Sequence, residues 1–153
     1  LNVGQYLERG VISTDVTDIK LKEIEYDLQH DAALPSCRSL LFSLSGYEAY
    51  LKASPGVLKP DTIMKQVLYN KDFVHSILYC LEHIDRYFKR LHMQSIPESY
   101  DHVNFLIGKA LSSLKYSSCN LEDGQDIRGL LSRTRKDLQR ISQAFNTHYF
   151  GYN

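Results

Sequence analysis

Three features of the sequence predict an all-α fold, an antiparallel bundle of about six helices. Apolar residues recur at three- and four-residue intervals over six segments, the spacing that lines one side of a helix. No segment alternates apolar and polar residues at period two for long enough to need a sheet. The connections are short and marked by proline, serine and glycine, so consecutive helices pack antiparallel. At 153 residues and 17.7 kDa the chain suits a single helical domain, residues 1–153. A domain near this size buries roughly 68–70% of the surface its unfolded chain exposes, so neither metal nor disulfide is needed for folding.

The first helix is expected from Asn2 to about Tyr26, a stretch without proline. Val3, Leu7, Thr14, Thr17 and Leu21 cluster on one side of it at about 100° per residue. Val11, Ile12 and Ile19 broaden that arc, and Gly4 and Gly10 within it let another helix approach closely. This reads as a central helix covered on more than one side. It carries the adjacent pair Glu8-Arg9, whose side chains diverge by about 100°, so the two are expected to make separate contacts, each tying this helix to a different neighbour. Glu8 falls on the margin of the arc near Ile12, Asp15 and Ile19, and Arg9 falls toward the polar side with Lys20. Two readings stay open. A margin carboxylate is ordinarily solvated or paired with a basic neighbour. Alternatively Glu8, Asp15 and Asp18, which share a sector, form an acidic patch for a cation or a basic peptide.

The second helix follows Pro35, with Ser36 as its cap, and carries Cys37, Leu40, Leu41, Leu44, Tyr47 and Leu51 until Ser54-Pro55-Gly56. Pro60-Asp61 opens a short third helix that stops near Asn70. The fourth spans Phe73 to Met93 and has the cleanest pattern, with Phe73, Ile77, Cys80, Ile84, Phe88 and Leu91 on one face. Pro97 breaks the chain, and the fifth starts near Glu98 with Val103, Leu106, Ile107, Ala110, Leu111 and Leu114 inward. A loop from Ser117 to Gly124 leads to the last helix, Gln125 to about Phe150. It turns Ile127, Leu130, Leu131, Thr134, Leu138, Ile141, Phe145 and Tyr149 inward, and spreads Arg128, Arg133, Arg135, Lys136 and Arg140 over the rest of its circumference. The 11 tyrosines are scattered, with no repeated aromatic spacing.

Lysine plus arginine and aspartate plus glutamate stand at 18 each, so no overall field concentrates nucleic acid or anionic membrane. No nucleic-acid partner is expected; the basic side of the last helix reads as a solvated face, with nucleic acid or an acidic partner as its weaker alternative. No apolar run reaches the ~18 residues that suggest a membrane span, and no signal peptide is seen. Cys37, Cys80 and Cys119 are odd in number and lack Cys-x-x-Cys spacing, which fits reduced, buried thiols in a cytoplasmic protein. The chain begins inside a helical pattern without methionine, so Leu1 is read as a cut point.

The sequence offers no constellation for catalysis. A dimetal bundle site needs Glu-x-x-His, and no glutamate here has histidine three places on. Asp72-x-x-His75 imitates it, but His75 points to the polar side. Asp72, His75 and Ser76 hold the letters of a hydrolase triad, yet on one helix they cannot supply base, orienter and oxyanion hole together. No phosphate loop or nucleophile elbow occurs. No catalytic residue, metal or cofactor is expected.

The run Gly4-Gln5-Tyr6-Leu7-Glu8-Arg9, with Asp18 ten residues after Glu8, resembles the bacterial alpha-E domain family. Leu40-Leu41-x-Ser43-x-Ser45-x-x-Glu48-Ala49-Tyr50 and Phe73-x-x-Ser76-Ile77-x-x-Cys80-Leu81 agree with it in order. The resemblance implies the C-terminal half of a longer chain with one Glu-Arg motif per half. It carries over Glu8, Arg9, Asp18 and Ser76, while Val11, Asp15 and Val74-His75 stand where the family favours other residues. It also implies association with ATP-grasp ligases and transglutaminase-like peptidases. The expected function is a non-catalytic module that binds or scaffolds a protein or peptide, with Glu8, Arg9, Asp15, Asp18 and Ser76 as binding residues. The alternative is an enzyme or cation site around Glu8 and Arg9, completed by a missing N-terminal half.

Overall fold

The structure, a computed structural model, describes residues 2–91 and 97–149. Among them lie seven helices and no strand: α1 (Asn2–Lys22), α2 (Ala33–Ser43), α3 (Tyr47–Ala53), α4 (Pro60–Tyr69), α5 (Ile77–Leu91), α6 (Pro97–Lys115) and α7 (Gly124–Tyr149). α1, α5, α6 and α7 close a ring in which α1 packs on α5, α5 on α6, α6 on α7 and α7 on α1. Residue pairs fix the antiparallel order. Tyr6 meets Tyr87 while Gly10 meets Cys80, Gly10 meets Leu138 while Asp15 meets Arg135, and Glu82 meets Lys115 while Phe88 meets Tyr100. α2 packs on α1 and α4, and α4 packs on α5, so these shorter helices flank the bundle.

Most of the expected inward residues form the core, while Leu91, Leu106 and Leu111 lie half-buried at its edge and Leu51, expected on the apolar side of the second helix, is exposed because that helix is broken before it. Leu7, Leu21, Ile77, Leu81, Ile84, Phe88, Val103, Ile107, Ile127, Leu138, Ile141 and Phe145 are all buried, and each such aliphatic or aromatic side chain contributes roughly 1.5–3 kcal/mol of burial free energy. Gly10 has the close approach its place in the arc requires: a Cβ there would lie 3.4 Å from both the Cys80 Cβ and the Leu138 methyls. α5 and α7 thus both close on α1 at this level. Gly4, expected in the same role, faces open space.

The buried arc of α1 is narrower than expected. Ile12 and Ile19 are 51% and 60% exposed, because α2, α5 and α7 leave the side carrying both isoleucines open. Two helices also end early, for the same reason. After Leu21 the Tyr26 N–H donates to the Leu21 carbonyl and Glu25 N–H to Lys22, with Glu25 and Tyr26 at φ 55 and 58. After Leu41 the Gly46 N–H donates to Leu41 and Ser45 N–H to Phe42, with Ser45 at φ 54. These are Schellman closures, which satisfy the last carbonyls by a left-handed residue. The first stops α1 at Lys22 instead of Tyr26, and the second divides the expected second helix into α2 and α3. Gly46 is required at the break, since a Cβ there would fall 2.6 Å from the Phe73 ring.

Other boundaries shift by a few residues. α2 starts at Ala33 with Pro35 inside its first turn, where proline is tolerated. Ser36 is no cap; its hydroxyl donates to the Lys20 carbonyl and ties α2 to α1. α5 starts at Ile77, because Phe73 to Ser76 form a turn. The expected helix end at Met93, the side chain of Tyr149, Phe150 and the cut point Leu1 lie outside the described residues.

Candidate functional site

Spacing of three and four residues sets Glu8, Ile12, Asp15 and Ile19 along one side of α1; Glu8, Ile12 and Asp15 line hollows against α7, while Ile19 lies outside both and is open to solvent. Two hollows follow one another down the α1–α7 seam. The first, about 420 Å³, is lined by Gly4, Glu8 and Ile12 of α1 and by Ser142, Phe145 and Asn146 of α7. The second, about 630 Å³, is lined by Asp15, Asp18, Tyr26, Gln125, Arg128 and Arg135, among others.

The second hollow holds charges that answer one another. The Asp15 carboxylate lies 2.8 Å from Arg135 Nε, with the arginine side chain 53% and the aspartate side chain 36% exposed, a setting in which an ion pair contributes about 0.2–1 kcal/mol. Asp18 accepts a hydrogen bond of 2.7 Å from the Tyr26 hydroxyl. Burial, and then the hydrogen bond and charge of Asp18, push the Tyr26 phenol up to about 12 against the opposing charge of Arg128. Tyr26 is therefore held as a protonated donor. The left-handed turn that ends α1 carries this ring back onto Asp18, and the Arg128 guanidinium lies 5.8 Å from its centre.

Of the candidate residues, the fold brings Glu8, Asp15 and Asp18 along one seam but not to one point. Asp15 and Asp18 are already engaged, while Glu8 is exposed and has no hydrogen bond or ion pair among the described residues. No group of three His, Cys, Asp or Glu side chains among those residues could hold a metal ion. Arg9 turns to the other flank, toward α5, half-buried with its guanidinium 4.9 Å from the Tyr6 ring centre. The pair was expected to tie α1 to two neighbouring helices. Instead the helical turn carries Glu8 to the open side and lays Arg9 on a ring of its own helix.

Ser76 is committed elsewhere. Its fully buried hydroxyl donates to the Asn70 carbonyl at 2.6 Å and accepts from the Tyr79 N–H at 3.0 Å, capping α5. His75, read as pointing to the polar side, is half-buried with its ring 5.8 Å from Phe73. Burial pushes the buried thiols of Cys37 and Cys80 up to about 12, so they stay protonated and poor nucleophiles. Cys119, expected buried, is only half-buried, and its thiol too is raised, first by burial.

Two sets of residues escaped the sequence reading. Tyr26, Arg128 and Arg135 enter the seam through a turn and a distant helix, for which no local signal exists. The cluster of Tyr6, Tyr79, His83 and Tyr87 had one, because 79, 83 and 87 recur every four residues on α5. The tyrosines are thus not simply scattered.

No helix among the described residues is long and apolar enough to cross a membrane. A family model named Alpha-E, described as a predicted alpha-helical domain with a conserved ER motif, matches residues 1–150, and Glu8-Arg9 is the one Glu-Arg step in the chain. No curated protein and no solved structure matches.

Proposed function

On the premise that the chain belongs to the Alpha-E family, we propose that it is a non-catalytic helical module that binds a protein or peptide segment in the α1–α7 seam. The observation that carries this reading is the combination of an uncommitted carboxylate, Glu8, with an open isoleucine, Ile12, in the first of two consecutive hollows, and a second open isoleucine, Ile19, two turns further along α1. An isolated Ile on a surface is ordinary, but apolar residues in register with a groove are what a docked segment covers. A partner segment that suits the seam presents apolar side chains to Ile12 and Ile19 and a basic side chain to Glu8. The paired charges at Asp15 and Arg135 frame the second hollow and favour one orientation of that segment. In this reading the module scaffolds a peptide-modifying system, with an ATP-grasp ligase or a transglutaminase-like peptidase as its partner, and needs no cofactor of its own.

Co-purification with an ATP-grasp ligase tests the proposal. Association is expected, and Ile12→Asp combined with Ile19→Asp should abolish it. Glu8→Gln should weaken it while leaving thermal stability within about ±0.5 kcal/mol, as for a surface change with no partner. Failure to associate, together with unchanged ligase turnover, would sink the scaffold reading. Loss of a turnover intrinsic to this chain in Glu8→Gln would replace it with an enzyme.

A further inference from the structure

The opposite flank of α1 carries a stacked cationic strip that the α1–α7 seam does not use. The Arg9 guanidinium lies 4.9 Å from the Tyr6 ring centre, Tyr6 stacks on Tyr87 at 5.6 Å and 16°, and the Arg90 guanidinium lies 5.0 Å from Tyr87. His83 sits alongside, 5.1 Å from Tyr6 and stacked on Tyr79 at 3.8 Å. The four-residue spacing of Tyr79, His83 and Tyr87 aligns them on the edge of α5 that faces α1. All four rings are half-buried, and Arg90 is exposed.

The strip is a set of donors without acceptors. Arg9, Arg86 and Arg90 have no carboxylate partner among the described residues, and the hydroxyls of Tyr6, Tyr79 and Tyr87 have no hydrogen-bond partner among them. The carboxylates of α5 are already engaged, Glu82 with Lys115 at 3.6 Å and Asp85 with Lys89 at 3.0 Å. Stacking also holds the Arg9 and Arg90 guanidinium groups in place before any ligand arrives, which lowers the ordering entropy that binding must overcome.

Two further features select the occupant. The rings stack on one another and under the two guanidinium groups, so bases find little open π-face to stack on. The donors extend from Tyr79 to Tyr87, two turns of α5 and about 12 Å of helix, so a ligand must offer acceptors spread over that length. An extended peptide covers the distance in about four residues. We infer that the α1–α5 seam docks an acidic, extended segment of a partner protein, with carboxylates received by Arg9 and Arg90 and by the tyrosine hydroxyls between them. The inference stands apart from the α1–α7 seam and does not require it.

The test is fluorescence anisotropy at low salt, with the whole chain and a short labelled peptide of alternating glutamate and glycine. Saturable binding is expected. It should fall about tenfold for each of Arg9→Gln and Arg90→Gln, the scale of a lost charge-assisted hydrogen bond. Arg133→Gln with Lys136→Gln, which removes two charges from α7, should leave it unchanged, as should the paired Ile12 and Ile19 substitutions. Absence of binding overturns the inference, and so does an equal loss in the α7 control. Tighter binding of labelled oligouridylate of matching charge, with the same arginine dependence, overturns it in favour of nucleic acid. Arg90 is exposed, so its variant carries the test if Arg9→Gln disturbs folding.

Discussion

The two flanks of α1 use the same building materials in opposite ways. Toward α7, carboxylates face arginines across open hollows, and charges meet through one ion pair and a tyrosine hydroxyl. Toward α5, rings stack face to face and arginines rest on them without carboxylate partners among the described residues. Glu8 and Arg9 are neighbours in sequence, yet each belongs to a different flank. A two-letter motif on a helix is therefore two separate surface features, because each residue advances about 100°. What the pair has in common is the helix beneath it.

The strongest way to break this comparison is to remove what both flanks rest on. Leu138 is fully buried and reaches Gly10, the level at which α5 and α7 both close on α1. Leu138→Ala should destabilise the domain by about 2–5 kcal/mol, through lost burial and the cavity left behind. Urea unfolding should show it, and both flanks should lose their partners together. A change below about 1 kcal/mol would mean that α7 does not hold α1 at this level.

A smaller effect separates the flanks. Ser76→Ala removes the cap of α5 and should cost about 0.5–2 kcal/mol. Hydrogen exchange should then rise in the first turn of α5 and not along the α1–α7 seam. If protection falls equally in both, the flanks do not respond independently.

The smallest effect is read through pH. Burial first, and the charge of Arg9 second, hold His75 below its ordinary value of 6.5. The unfolded chain therefore takes up this proton at higher pH than the folded one. His75 contributes its full share to stability above 6.5, and that share is lost as pH falls from 6.5 through its lower folded value. His75→Gln should flatten the stability profile measured from about pH 7 down to about pH 5. Arg9→Gln should flatten it partly, and Glu8→Gln should leave it alone, since only the α5 flank acts on His75.

Most helices were legible because burying a stripe at 3.6-residue spacing leaves a repeated mark on the sequence, clearest in Ile77, Cys80, Ile84 and Phe88. The two early helix ends left none. Schellman closures usually announce themselves by glycine or asparagine at the left-handed position, whereas here Glu25 and Ser45 occupy it. Tertiary contacts offset that local strain: Tyr26 returns to Asp18, and Gly46 fits against Phe73. The role of Ser76 was hidden similarly, because a serine before a helix has the same letters whether it caps or binds.

Local periodicity and helix geometry dictate the helical class, most of the inward faces and the divergence of Glu8 from Arg9. Packing sets which side of α1 stays open, and that Asp15 and Asp18 meet Arg135 and Tyr26 while Arg9 lies on a ring beside α5. Those outcomes depend on which distant helix lies against each face. That choice is made by packing the whole bundle and leaves no mark within any one segment.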